Sequence, residues 1–187
     1  MSTPAARRRF FSLRRFVILA AVVALGWATY EGMIRWRLSQ LYGGFDRVAM
    51  LQNATEVTAW RLMPPAQWQA GMPVEAAAPG EFQVVGDPVE LSRGAAYELQ
   101  QLLATPGSYR FFAPIIRECG PPDYGVKFSF ISGGDEVDVY VFFKCRELAV
   151  TRSDGTNRKA DFDPSGPRLI AIAQELFPGD TEIQALK

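Results

Sequence analysis

A chain of 187 residues with 48% apolar and 21% charged side chains has the make-up of a folded protein and excludes a disordered one. Its formal charge of zero conceals a split: residues 1–37 hold seven arginines against one acid, Glu31, leaving 13 basic and 19 acidic residues, a net charge of −6, in residues 38–187. The arginine cluster lies in the head, so the remainder lacks the basic face that nucleic acid requires, and the absence of histidine removes Ser-His-Asp and Cys-His nucleophilic machinery and most zinc sites.

Arg7, Arg8, Arg9, Arg14 and Arg15 precede an uncharged run from Phe16 to Tyr30. Basic charge ahead of an apolar helix is the positive-inside arrangement, which keeps the N-terminus in the cytoplasm and sends the rest across. Fifteen residues rise only about 22 Å, short of a hydrocarbon core of about 30 Å. Extension past Glu31 and Gly32 to Ile34 gives 19 residues, with Trp27, Tyr30 and Trp36 placed as an aromatic belt. Phe16, Leu19, Val22, Leu25, Trp27 and Tyr30 are the expected anchor residues, within a transmembrane helix or signal anchor over 16–37 that follows a basic cytoplasmic head over 1–15.

A cleaved signal peptide is the alternative, because Ala24-Leu25-Gly26 and Gly26-Trp27-Ala28 both put small residues at the cleavage-determining positions. Arg7-Arg8-Arg9-Phe10-Phe11 also resembles a twin-arginine export signal, but Arg14 and Arg15 interrupt the approach to the apolar run.

Residues 38–55, broken by Gly43-Gly44, are expected to form a juxtamembrane stalk, and residues 56–187 one extracytoplasmic domain. Glu56–Met63 alternates Val57, Ala59 and Arg61 against Thr58, Trp60 and Leu62, the pattern of a half-exposed strand ended by Pro64-Pro65. Residues 66–80, rich in Ala, Pro and Gly, predict a loop. Phe82–Leu91 predicts one bent strand or two short ones about Gly86-Asp87-Pro88.

Ser92 is placed to cap a helix over 93–103, whose Ala95, Ala96, Leu99, Leu102 and Leu103 share one face. Tyr109–Ile116 is an apolar, aromatic stretch, read as a short strand or an irregular wall. The clearest element is a hairpin of Val126–Ile131 and Val137–Cys145 about Gly133-Gly134, pairing Phe130 with Val137, Phe128 with Val139 and Val126 with Val141. A third strand, Glu147–Thr151, ends at Asp154-Gly155. Asp163 is expected to cap a last helix with Pro164 at its first position and Leu169, Ile172, Ala173, Leu176 and Phe177 as its buried stripe. The fold class is therefore α+β, an antiparallel sheet of about five or six strands with two helices packed on it.

Carried along the hairpin register, Cys145 falls opposite Pro122, three residues from Cys119. In an oxidising compartment that proximity predicts a disulfide between Cys119 and Cys145, stabilising by roughly 3 kcal/mol less any strain. Two separate buried thiols, or a thiol-redox pair, are the alternatives. The latter lacks Cys-x-x-Cys spacing, though Arg117, Lys144 and Arg146 stand near enough to favour a thiolate.

Asp161 and Asp163, with Asp123, Asp135, Glu136 and Asp138, are the acids to weigh for metal binding. Their loops lack the length and terminal glutamate of an EF-hand, and capping or a solvated hairpin tip accounts for them. Asn53-Ala54-Thr55 matches a glycosylation triplet of the kind that occurs by chance. Trp60, Tyr109, Phe111, Phe112, Tyr140 and Phe142 are candidates for exposed aromatics; Tyr140 and Phe142 face away from Val139 and Val141, so helices on one side alone would leave a patch fit for a partner, the alternative being a sheet covered on both faces.

The run from Cys119 to Phe130, then VDVYVFFKC, ADFDPSGPRLIAIAQELFPGD and the closing IQAL, together resemble small uncharacterised exported or membrane-anchored proteins of bacteria, over the C-terminal 70 residues or so. Those relatives carry cysteine pairs at the hairpin end where Phe142 stands here. The resemblance implies a bacterial exported setting and no particular activity.

The sequence thus predicts a single-pass protein of the bacterial inner (cytoplasmic) membrane, N-terminus inside and domain in the periplasm or outside. Its expected role is to bind another envelope protein or a ligand, with no catalytic residue, metal or cofactor indicated. An exported thiol-redox factor or enzyme using Cys119 and Cys145, and a secreted soluble protein after cleavage, are the rival expectations.

Overall fold

The computed structural model describes residues 4–64, 82–112, 125–152 and 154–187, with side chains from residue 15 onward. The chain divides into two units, Met1–Trp36 and Arg37–Lys187.

The described residues of the first unit lie within helix α1, Pro4–Tyr42. Gly26 and Gly32 do not break it; a helix interior tolerates glycine at a cost of about 1 kcal/mol. Every side chain from Arg15 to Tyr30 is exposed, including Phe16, Leu19, Val22, Leu25, Trp27 and Tyr30. The helix is long and apolar enough to span a membrane or to serve as a signal sequence.

The second unit is built on a six-stranded antiparallel sheet: β1 Glu56–Met63, β2 Gln83–Glu90, β3 Gly125–Ser132, β4 Asp135–Phe142, β5 Glu147–Thr151 and β6 Asn157–Asp161, in the order β2-β1-β3-β4-β5-β6. Gly133 and Gly134, at φ 61° and 91°, supply the two positive φ values of a tight hairpin turn. The turn fixes the expected register, Phe130 with Val137, Phe128 with Val139 and Val126 with Val141. At the far end of the hairpin Gly125 is required sterically, since a Cβ there would stand 2.5 Å from the Val141 carbonyl oxygen.

Three strands differ from the sequence reading. β1 is central, between β2 and β3, and is buried on both faces over most of its length rather than half-exposed. β4 stops at Phe142, and residues 143–146 turn back through Arg146 at φ 50°. The polar segment Asn157–Asp161 adds a sixth strand that its composition conceals. Both edges resist further pairing: β2 carries Pro88, which has no N–H to donate, and β6 carries Arg158 and Lys159.

Helices α2 Phe45–Gln52, α3 Arg93–Ala104, α4 Gly166–Leu176 and α5 Thr181–Gln184 complete the unit. One core joins Val57, Ala59, Val126, Phe128, Phe130, Val139 and Val141 of the sheet to Leu51 of α2, Leu99 and Leu103 of α3, Leu169 and Ala173 of α4 and Ile183 of α5. Leu38, Leu41 and Tyr42 belong to it as well, so residues 38–55, expected as a stalk, supply part of the core. Their three-and-four spacing makes the last turn of α1 amphipathic. Gly43, at φ 92°, then closes the helix, with Gly43 N–H and Gly44 N–H both donating to the Ser39 carbonyl.

Ser92 caps α3 as expected, its hydroxyl accepting from Ala95 N–H. Asp163 does not cap the last long helix. It opens a 3-10 turn over Asp163–Ser165, its own N–H is bound by the Asp161 carboxylate at 2.7 Å, and α4 begins only at Gly166.

Candidate functional site

Side chains alternate along a strand, so the residues between those of the core point to the opposite face. There the register aligns Trp60 with Lys127, Tyr140, Ala149 and Lys159, one row from Thr58, Ser129, Asp138 and Thr151, and one row from Leu62, Gly125, Phe142, Glu147 and Asp161. A small second core, formed by Leu62, Phe82, Phe142 and Ala149 with Tyr140 against it, sits on this face and contains no helical residue. Phe82 and Phe142 pack with ring centroids 4.8 Å apart.

The distinctive group on this face is Lys127. Its Nζ stands 5.0 Å from the centre of the Trp60 ring and 5.9 Å from that of Tyr140, and 2.8 Å from Asp138 Oδ2. A cation over aromatic faces is stabilised by about 0.5–1 kcal/mol at an exposed site and more when desolvated; here 18% of the Lys127 side chain is accessible. Burial pushes the Asp138 carboxyl up despite the opposing Lys127 ammonium, and burial followed by the Asp138 charge pushes the Tyr140 hydroxyl up.

Two polar atoms remain unsatisfied in the same row. Thr58 Oγ1 and Asp138 Oδ1 are buried and, among the described residues, have no partner of good hydrogen-bond geometry, the nearby Ser129 hydroxyl being turned to Glu136. Ser129, which lies between them in register, spends its one hydroxyl proton on Glu136. The face therefore offers two half-buried aromatic rings, a charge pair and unfilled hydrogen-bonding capacity. Such a surface can stack against and hydrogen-bond a partner.

No family model, curated protein or solved structure matches this chain.

The acids weighed as metal ligands are engaged otherwise. Asp163 pairs with Arg110 at 3.0 Å and Arg146 at 3.3 Å, Asp161 accepts from Asp163 N–H at 2.7 Å, Asp138 pairs with Lys127 at 2.8 Å, Glu136 accepts from the Ser129 hydroxyl, and Asp135 lies 3.9 Å from Arg47 at the hairpin tip. Among the described residues no three potential ligands gather about a metal position. Asp123 lies outside the described residues.

Cys145 is buried in the turn after β4, only 3% exposed, and is the single cysteine among the described residues. The expected disulfide therefore involves a residue, Cys119, outside them. Of the aromatics expected at the surface, Tyr109 and Phe142 are buried, Trp60, Phe111 and Tyr140 are half-buried, and Phe112 is exposed. Asn53 closes α2, its side chain donating to the Ala49 carbonyl at 2.7 Å, which gives the glycosylation triplet a structural use.

Two polar networks were missed from the sequence. Arg61, on the core-facing side of β1, donates to Asp180, Glu182 and the Leu62 carbonyl at 2.5 Å each. Its place among Val57 and Ala59 at alternate positions was the available signal, because a buried arginine demands acidic partners. Tyr42 and Tyr109 meet hydroxyl to hydroxyl at 2.9 Å inside the core, and burial pushes both phenols up.

Proposed function

We propose that this protein is held in a bacterial cytoplasmic membrane by residues 16–34, N-terminus inside, and that its α+β domain is a non-catalytic binding module outside. The observation that carries the placement is the fully exposed apolar side of α1 from Phe16 to Tyr30. In water that surface is unfavourable by roughly 1.5–3 kcal/mol for each large side chain, which a bilayer relieves. The arginines ahead of it and the net charge of −6 after residue 37 agree with export of the domain.

Placement is tested by carbonate extraction of membranes together with the intact mass of the mature protein. Retention with the N-terminus still present is the expected result. Release into the carbonate supernatant, or a mature chain starting after Gly26 or Ala28, sinks the anchor in favour of a signal sequence.

The binding role is supported by the sheet face about Trp60, Lys127 and Tyr140, to whose small core no described helix contributes. A photoreactive group placed at position 140 in intact cells is expected to give one discrete crosslinked species, lost on Trp60→Ala with the thermal midpoint retained. Crosslinking spread over many species, or unaffected by Trp60→Ala, counts against this face. For an oxidising compartment we also propose the Cys119–Cys145 bridge. Alkylation of the unfolded protein before and after reduction reads it directly, and two modified thiols before reduction would reject it.

A further inference from the structure

We propose that the domain makes its own contact with the outer headgroup layer of the bilayer through Phe112 and Arg37. The inference rests on the anchor reading above and adds a lipid-binding surface to it. Phe112 is 51% exposed, and the Arg37 guanidinium carbon stands 5.8 Å from the centre of its ring. Arg37 follows Ile34, the last residue of the apolar segment, by three positions. Three residues span at most about 10 Å even when fully extended, so the covalent chain keeps Arg37 at the membrane surface whatever else the domain does. Phe112 is held beside it.

The segment that carries Phe112 is well fixed. Tyr109 is buried and its hydroxyl donates to the Leu103 carbonyl at 2.5 Å, Phe111 stacks on Tyr109 with centroids 5.2 Å apart, and Arg110 N–H donates to the Asp161 carbonyl at 3.0 Å. An exposed aromatic ring on a firm base loses little conformational freedom when it enters an interface. The headgroup region adds roughly 5–7 Å beyond the hydrocarbon on each side, a depth that suits an aromatic ring and a guanidinium together. Arg37 is exposed and carries cationic charge that suits lipid phosphates, whereas Arg35, two positions before it, pairs with Glu31 at 3.8 Å.

The test uses the full-length protein reconstituted in vesicles of phosphatidylcholine alone and of phosphatidylcholine with phosphatidylglycerol. Benzoyl-phenylalanine is incorporated at position 112 and, for comparison, at position 97, where Tyr97 is 63% exposed on α3. Lipid adducts after irradiation are counted by mass. The expected result is several-fold more adduct at 112 than at 97, increased by phosphatidylglycerol and no longer increased in the Arg37→Gln protein. Equal adduct at the two positions, in protein that carbonate fails to extract, overturns the contact and leaves the anchor standing. Adduct at 112 that ignores phosphatidylglycerol overturns the part given to Arg37. Extraction by carbonate removes the anchor, and this inference with it.

Discussion

Arg61 and Asp180 lie 119 residues apart in the chain and 2.5 Å apart in space, Nε to Oδ2. The same carboxylate caps α5, its other oxygen accepting from Glu182 N–H at 3.0 Å and Ile183 N–H at 2.9 Å. One aspartate thus caps the start of α5 and fastens that helix to β1. Gln174 reinforces the attachment, donating towards the carbonyls of Ile183, Gln184 and Leu186.

Removing the arginine should loosen this latch. Arg61→Met retains much of the apolar stem but leaves Asp180 and Glu182 without their cation and the Leu62 carbonyl without its donor. Loss of one member of a fully buried pair costs about 3–5 kcal/mol. Asp180 and Glu182 are 23% and 49% accessible and regain water, which reduces the expected loss to about 2 kcal/mol, or roughly 4–8 °C in thermal midpoint for a domain of this size. An unchanged midpoint would show that the ion pair contributes nothing to stability.

Acid should act on the same latch. Burial alone would raise the Asp180 carboxyl, but the Arg61 guanidinium and the Ile183 and Glu182 N–H groups outweigh it and hold the carboxyl below its ordinary value. A group depressed in the folded state contributes stability above its unfolded pKa, about 3.9, and loses it as pH falls through the folded value. Asp138 has the opposite sign: its carboxyl is raised, so its contribution is complete below about pH 3.9 and lost as pH rises through the raised value. Thermal midpoints between pH 2.5 and 6 should therefore fall less steeply on acidification in Asp180→Asn than in the parent, and more steeply in Asp138→Asn. Parallel curves for all three proteins would contradict both assignments.

The buried tyrosine pair predicts non-additivity. Tyr109 donates to the Leu103 carbonyl at 2.5 Å, so the proton between the two hydroxyls comes from Tyr42, which itself lies 3.4 Å from that carbonyl. In Tyr42→Phe, Tyr109 keeps its bond and the loss should be about 1 kcal/mol. In Tyr109→Phe, Tyr42 can move onto the vacated carbonyl. The double variant should accordingly differ from the sum of the singles by at least about 0.5 kcal/mol in denaturant midpoints, and strict additivity would mean that the hydroxyls do not share the carbonyl.

What could be read from the sequence was local. Gly133-Gly134 dictates its hairpin by φ alone, and Ser92, Leu99 and Leu103 mark a capped amphipathic helix whatever surrounds them. Asn157–Asp161 was hidden because an edge strand rich in charge has no apolar alternation to detect, and its pairing with β5 is a tertiary fact. Leu38, Leu41 and Tyr42 were misread for the reverse reason: the apolar run before them dominated the assignment, while the partners that bury them, such as Leu103 and Tyr109, come more than 60 residues later. The candidate face was half legible. Alternation placed Tyr140 opposite Val139 and Val141, yet it could not show that Lys127 stands between Trp60 and Tyr140, because that depends on β1 docking against β3.

That Lys127 arrangement yields the sharpest test of the candidate face. In Lys127→Met the Asp138 carboxylate stays in its half-buried place with no cation, while Oδ1 already lacks a donor. The expected loss is about 1–2 kcal/mol at neutral pH, since the penalty falls on an ion left unpaired rather than on lost packing. Adding Asp138→Asn removes the stranded charge and should restore most of the stability, so the double variant is more stable than Lys127→Met alone. If Lys127 instead serves the fold through its contact with the Trp60 and Tyr140 rings, Asp138→Asn brings no recovery. Denaturant midpoints of the parent, the two single variants and the double variant separate the two.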